Sequence, residues 1–144
     1  MSGWTLTSLN GTQEQVIARL DSRHSLAPQS FVVISNYPAT QSRLVFDSLF
    51  QTSALSLPNT KLRLRLRNAS GALMDEVDDG VGAPFAGANV SGSPKASMER
   101  IVLSGSGADK SNWRTATTAR GFDPDAPMLG TPGYENGSVN MSSS

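Results

Sequence analysis

Apolar residues recur along this chain in short runs of period two, broken by Gly, Asn, Pro and Ser, and no long segment keeps a 3.6-residue period. The pattern predicts an all-β fold. Trp4 and Leu6 share one face of a first strand, Asn10-Gly11 is the strongest two-residue hairpin signal, and Val16 to Leu20 supplies the return strand. Ala27-Pro28-Gln29-Ser30 then turns the chain into Phe31-Val32-Val33-Ile34, an unbroken apolar run that suits a strand buried on both faces. Over residues 36 to 54, Leu44, Val45, Phe46, Leu49 and Phe50 fit either a short helical turn or an irregular loop packed on the sandwich.

Leu55, Leu57, Leu62, Leu64 and Leu66 resume the two-residue period, and Asn68-Ala69-Ser70-Gly71 reads as a turn into a strand from Leu73 to Val77. Asp78 to Lys95 is rich in Gly, Ala, Pro and Ser, which predicts a long surface loop anchored by Val81, Phe85 and Val90. Strand character returns from Ser97 to Leu103. After a Gly/Ser turn from Ser104 to Ser111, Trp113 stands among polar neighbours and is expected to plug one end of the core. Pro124, Pro127 and Pro132 forbid regular ladder pairing through most of the remainder, and Gly137 to Ser144 reads as a flexible tail. The expected interior anchors are Trp4, Phe31, Val33, Leu62, Leu64, Leu66 and Trp113.

Composition narrows the picture. A chain of 144 residues is the size of one domain. Twelve basic residues balance twelve acidic ones, so no overall field draws the molecule to polyanions and any charged partner must be recognised locally. Without cysteine there is no disulfide, thiolate metal site or cysteine nucleophile, although secreted sandwiches of this size fold without such staples. No apolar run is long enough for a membrane-spanning helix, and Ser2, Thr5, Thr7 and Ser8 stand where an export signal would carry a basic patch and an apolar core.

The sharpest charge feature is Lys61-Leu62-Arg63-Leu64-Arg65-Leu66-Arg67, whose alternation sends three leucines to one strand face and four cations to the other. Its ordinary reading is a solvated face whose cations pair with acidic neighbours across the sheet and discourage edge association. Its functional reading is an anion-binding stripe, Lys61, Arg63, Arg65 and Arg67, for nucleic acid or another polyanion. Asp75, Glu76, Asp78 and Asp79, and the pair Asp123 and Asp125, could supply oxygen ligands to calcium, but neither has the spacing of a known loop; an acidic turn partnering the basic strand is the simpler expectation.

His24, the only histidine, sits without a nucleophile elbow and reads as a surface-loop residue. Lys110-Ser111 follows glycines, yet Ser104 and Asp109 occupy the two positions where a phosphate-binding loop requires glycine. The Asn-x-Ser/Thr triplets at Asn10, Asn68, Asn89, Asn136 and Asn140 gain meaning only on a eukaryotic secretory route. No cofactor site is predicted, and no converging set of catalytic residues marks an enzyme.

Several strings, taken in order, carry a resemblance: Gly3-Trp4-Thr5-Leu6, Phe31 to Ile34, Leu55-Ser56-Leu57-Pro58-Asn59, Gly71 to Val77, Met98-Glu99-Arg100, Asn112-Trp113, and Gly130-Thr131-Pro132-Gly133 with Asn136. Together, over roughly residues 3 to 136, they resemble the lamin-tail domain, closest to its bacterial members. The resemblance implies an immunoglobulin-like β-sandwich acting as a non-enzymatic accessory or adhesion module of a larger or secreted bacterial protein. It further implies an extracellular or cell-surface setting and a protein or other macromolecule as partner, and it lends modest support to the nucleic-acid reading. In the family an additional strand pair precedes the Gly-Trp-Thr-Leu string, whereas only Met1 and Ser2 precede Gly3 here. The expectation is an N-terminally incomplete sandwich, residues 1–136, completed by an upstream segment or a strand-donating partner.

Overall fold

A computed structural model describes residues 2–20, 31, 33–37, 44 and 50–137. Ten strands follow in chain order: β1 (Thr5–Asn10), β2 (Gln13–Arg19), β3 (Ile34–Ser35), β4 (Phe50–Gln51), β5 (Leu64–Arg67), β6 (Leu73–Val77), β7 (Lys95–Ala96), β8 (Met98–Arg100), β9 (Trp113–Thr115) and β10 (Met128–Leu129). The helical content among the described residues is one 3-10 turn, Lys110–Asn112, capped by the Asp109 side chain. The fold is strand-rich, as the period-two pattern predicts.

The main body is a four-stranded antiparallel sheet in the order β2-β1-β5-β6. The first hairpin closes with Asn10 opposite Gln13, so Gly11 and Thr12 form the two-residue loop. Gly11 has φ 65, the backbone that a glycine at the first loop position supplies when the turn must match the twist of its strands. The return strand therefore starts at Gln13, earlier than the Val16 predicted from apolar spacing. At the other end, Asn68 Oδ1 accepts hydrogen bonds from the Ser70 and Ala72 N–H groups and builds the turn that joins β5 to β6.

Smaller pairings complete the molecule: β8 with β9 antiparallel, and β7 with β10 and β3 with β4 parallel. Among the described residues the buried apolar side chains are Ile17, Ala18 and Leu20 from the end of β2, Leu62 just before β5, and Ala116 just after β9. Of the expected anchors only Leu62 is buried; Trp4, Val33, Leu64, Leu66 and Trp113 are half-buried, and Phe31 is 56% exposed. A strand buried on both faces needs elements packed above and below it, yet Val33, Ile34 and Ser35 are half-buried, and β3 pairs with β4 alone among the described residues. The loop or helical turn expected over residues 36 to 54 falls largely outside the described residues, and Phe50–Gln51 forms β4. Likewise, Ile101, Val102 and Leu103 are exposed and follow the end of β8, where the Ile101 N–H donates to the Asn112 carbonyl.

The loop after β6 is anchored differently from the sequence expectation. Val81 and Val90 are exposed, while Asp78, predicted to lie in a solvated turn, is completely buried. Its carboxylate accepts from the Asp79 N–H at 2.8 Å through Oδ1 and from the Phe85 N–H at 2.7 Å through Oδ2. Its own N–H donates to the Gly107 carbonyl at 2.9 Å, and the Trp113 indole Nε1–H donates to the same carbonyl at 2.9 Å. A buried acidic side chain is tolerated where its oxygens receive such donors. Gly107 itself runs so close to the Glu76 carbonyl oxygen that no Cβ fits between them.

Two substitutions test this junction. Asp78→Ala strands two N–H groups in a dry site and should lower unfolding stability by about 2–4 kcal/mol. Gly107→Ala forces the 104–110 loop off β6 and should cost roughly 1–3 kcal/mol or more. Urea denaturation measures both, and wild-type midpoints for either variant would contradict this account.

Candidate functional site

Two surfaces concentrate the polar chemistry of the described residues. The first is the charged face of the main sheet. Register places Arg65 directly opposite Glu76 on β6 and opposite Thr7 on β1. Glu14, one strand further on β2, reaches across β1 to Arg67, with Nε–Oε2 at 2.9 Å and Nη2–Oε1 at 3.0 Å, and to Arg65 Nη1 at 3.4 Å. Thr7 lies buried in the strand between them. Glu76 Oε2 lies 3.5 Å from Arg63 Nη2 and 3.7 Å from Arg65 Nε, charge contacts at or beyond the outer limit of a hydrogen bond.

Arg63, Arg65 and Arg67 thus come together with Glu14 and Glu76 in one alternating lattice. Lys61 stands apart, exposed, with a backbone φ of 56 and its N–H on the Gly82 carbonyl. Arg67 holds the Glu14 carboxyl below its ordinary value of 4.5, first by hydrogen bonding and then, against partial desolvation, by its charge; Arg65 and Thr7 add smaller contributions.

The second surface is a cleft of about 640 Å³ between the β8–β9 pair, the 131–136 turn and the segment around β3. Phe31, Val33, Ile34, Ile101 and Leu103 give it an apolar side, and Arg100, Arg114, Thr131, Tyr134, Glu135 and Asn136 a polar one. The two arginines are held differently. Arg100 is committed: Nη1 contacts both Asp75 carboxylate oxygens at 2.7 and 2.5 Å, Nη2 donates to the Gly105 carbonyl, and the guanidinium stands 5.7 Å from the Trp113 ring. Arg114, directly opposite Glu99 in register, donates from Nε to Glu99 Oε2 at 3.2 Å. Glu99 is 3% exposed and its Oε1 has no hydrogen-bond partner among the described residues; neither has the buried Thr131 Oγ1.

The acidic residues divide between these structures. Glu76 belongs to the lattice, Asp75 to Arg100, Asp78 to the buried junction, and Asp79 accepts from the Val81 N–H. No group of three His, Cys, Asp or Glu side chains among the described residues could hold a metal ion. His24 lies outside the described residues, and no described helix is long and apolar enough to cross a membrane.

Sequence reasoning missed Arg100, Arg114, Glu99 and Thr131. The one available signal was an acidic residue between Met98 and Arg100 with an arginine beside Trp113, which becomes a pair only once the β8–β9 register is known. No family model matches the chain, and neither a curated protein nor a solved structure is significantly similar to it.

The lattice has a signature in pH. A carboxyl depressed on folding contributes stability that is complete above its unfolded value near 4.5 and is lost as the pH falls through its lower folded value. Glu14→Gln should therefore be less stable than wild type near neutrality, with the gap closing as the pH falls from about 5 to well below 4.5. Urea midpoints across that range measure it, and a gap independent of pH would exclude Glu14 as the titrating group.

Proposed function

We propose that this chain is a non-catalytic interaction module, an immunoglobulin-like β-sandwich of the lamin-tail type, serving a larger or secreted bacterial protein outside the cell or at its surface. The observation that carries the reading is the cleft's apolar side. Ile101 is 46% exposed, Leu103 79% and Phe31 56%, a grouping of large apolar side chains at water of the kind found where proteins meet partners. They are bordered by arginine and tyrosine, residue types enriched at the energetic centres of interfaces. The ordered strings that resemble lamin-tail domains supply the family and the setting.

Polyanion binding through Lys61, Arg63, Arg65 and Arg67 is the second reading. Its support is weaker because Glu14 and Glu76 already neutralise much of that face. An incoming phosphate chain would have to displace them.

Binding to bacterial surface extracts and to duplex DNA, measured side by side, separates the two. The interaction reading expects saturable binding to a surface protein or polymer, weakened roughly tenfold or more by Leu103→Asp and unchanged by Arg63→Glu/Arg65→Glu. The polyanion reading expects retention on DNA that falls steeply between about 50 and about 200 mM salt and disappears in Arg63→Glu/Arg65→Glu. That second pattern, without surface binding, would replace the first reading.

A further inference from the structure

We infer that the cleft receives the carboxyl-terminal end of a peptide whose last residue is aliphatic, with Arg114 holding the terminal carboxylate. The inference rests on the interaction-module reading and names the chemistry of its partner.

The edges of the Arg114 guanidinium are engaged unequally. Glu99 engages Nε alone, at 3.2 Å, through one carboxylate oxygen. Among the described residues the two Nη groups make no hydrogen bond that would compete for an incoming acceptor, and 45% of the side chain is exposed on the cleft. Gly137 lies beside Nη2, close enough that a Cβ there would collide with it. An end-on pair of parallel N–H donors, held from behind by a buried carboxylate, is the geometry that takes a second carboxylate in bidentate fashion. Arg100 offers no equivalent, since Asp75 and the Gly105 carbonyl occupy its Nη groups.

What surrounds the fork selects the rest of the ligand. Ile101 and Leu103 on one side, with Phe31, Val33 and Ile34, form an apolar wall at which an aliphatic side chain loses water. The 131–136 turn adds polar lining, with Thr131 Oγ1 buried without a hydrogen-bond partner among the described residues. A mixed apolar and polar lining suits a peptide, which alternates side chains with amides, better than an uninterrupted hydrocarbon chain. The volume of about 640 Å³ lies within the range of pockets that enclose small ligands, enough for the last few residues of a chain. Glu135, exposed on the lining, favours a basic residue over an acidic one in the bound segment.

Calorimetric titration with acetyl-Lys-Val-Leu bearing a free carboxylate, its carboxamide and octanoate tests the assignment. The carboxylate peptide should bind saturably, with the carboxamide and octanoate each about tenfold or more weaker. Arg114→Gln should weaken the carboxylate peptide by a similar factor and leave the carboxamide unchanged; Arg114→Lys should fall between; Leu103→Ser should weaken both peptides. Should Arg114→Gln fail to fold because Glu99 is left buried and unpaired, the carboxylate and carboxamide comparison on the wild-type protein decides alone. Equal binding of the two peptides, or no saturable binding at about millimolar concentration, overturns the inference. Octanoate binding as tightly as the peptide overturns it too, in favour of a fatty carboxylate. Loss of surface binding in Leu103→Asp together with peptides that do not discriminate would retain the interaction reading and remove the carboxyl-terminal one.

Discussion

Asp78 is the point on which three parts of the chain converge. It ends the β6 ladder, and its carboxylate gathers the N–H groups of Asp79 and Phe85, giving a Gly- and Ala-rich loop a fixed start. Its backbone N–H meets the Gly107 carbonyl, which the Trp113 indole also uses. The main sheet, the 79–85 loop and the β8–β9 hairpin are therefore tied by a few hydrogen bonds around one dry carboxylate, in a molecule whose buried apolar side chains, among the described residues, are Ile17, Ala18, Leu20, Leu62 and Ala116. A polar keystone of this kind is effective because its alternative, unpaired groups out of reach of water, is so unfavourable.

The charged face follows another logic. Alternation along residues 61–67 puts the arginines outward, and strand order then decides what they meet: Glu76 from the neighbouring strand on one side, Glu14 from beyond β1 on the other. Pairs with partial exposure contribute modestly to stability. Their larger effect is on arrangement, since the lattice is satisfied only when β2, β1, β5 and β6 lie in this order and register. The cleft contrasts with it: there Arg114 is held through Nε by a buried carboxylate and remains 45% exposed.

Both hairpins of the main sheet were legible in the sequence because turn chemistry is local: Asn10-Gly11 and Asn68 to Gly71 carry their own backbone preferences. The pairing of the basic strand with acidic neighbours was legible in kind, though the involvement of Glu14 depends on β5 docking beside β1, which no local pattern encodes. Burial was much less legible. Among the described residues of Phe31 to Ile34, a run with the composition of a central strand, Ile34 alone is paired, and Leu64 and Leu66 are half-covered while Leu62 is buried, because burial is decided by what arrives from elsewhere in the chain. Asp78 and Glu99 ran against hydropathy altogether; an acidic residue in a dry site is predictable only from the donors that surround it, and those lie in loops distant in sequence.

The place of β1 between β2 and β5 bears on how the molecule acquires and alters its shape. The chain leaves the sheet at Arg19 and returns at Leu64, so the first hairpin zips locally while β5 must close a long excursion before it can dock. Loop closure grows only logarithmically with length, about 0.6 kcal/mol per doubling, so residues added between β2 and β5 tax the sheet very little. That excursion is where evolution or an engineer can lengthen the chain with least disturbance to the four strands, whereas the two-residue Gly11-Thr12 connection allows no such freedom.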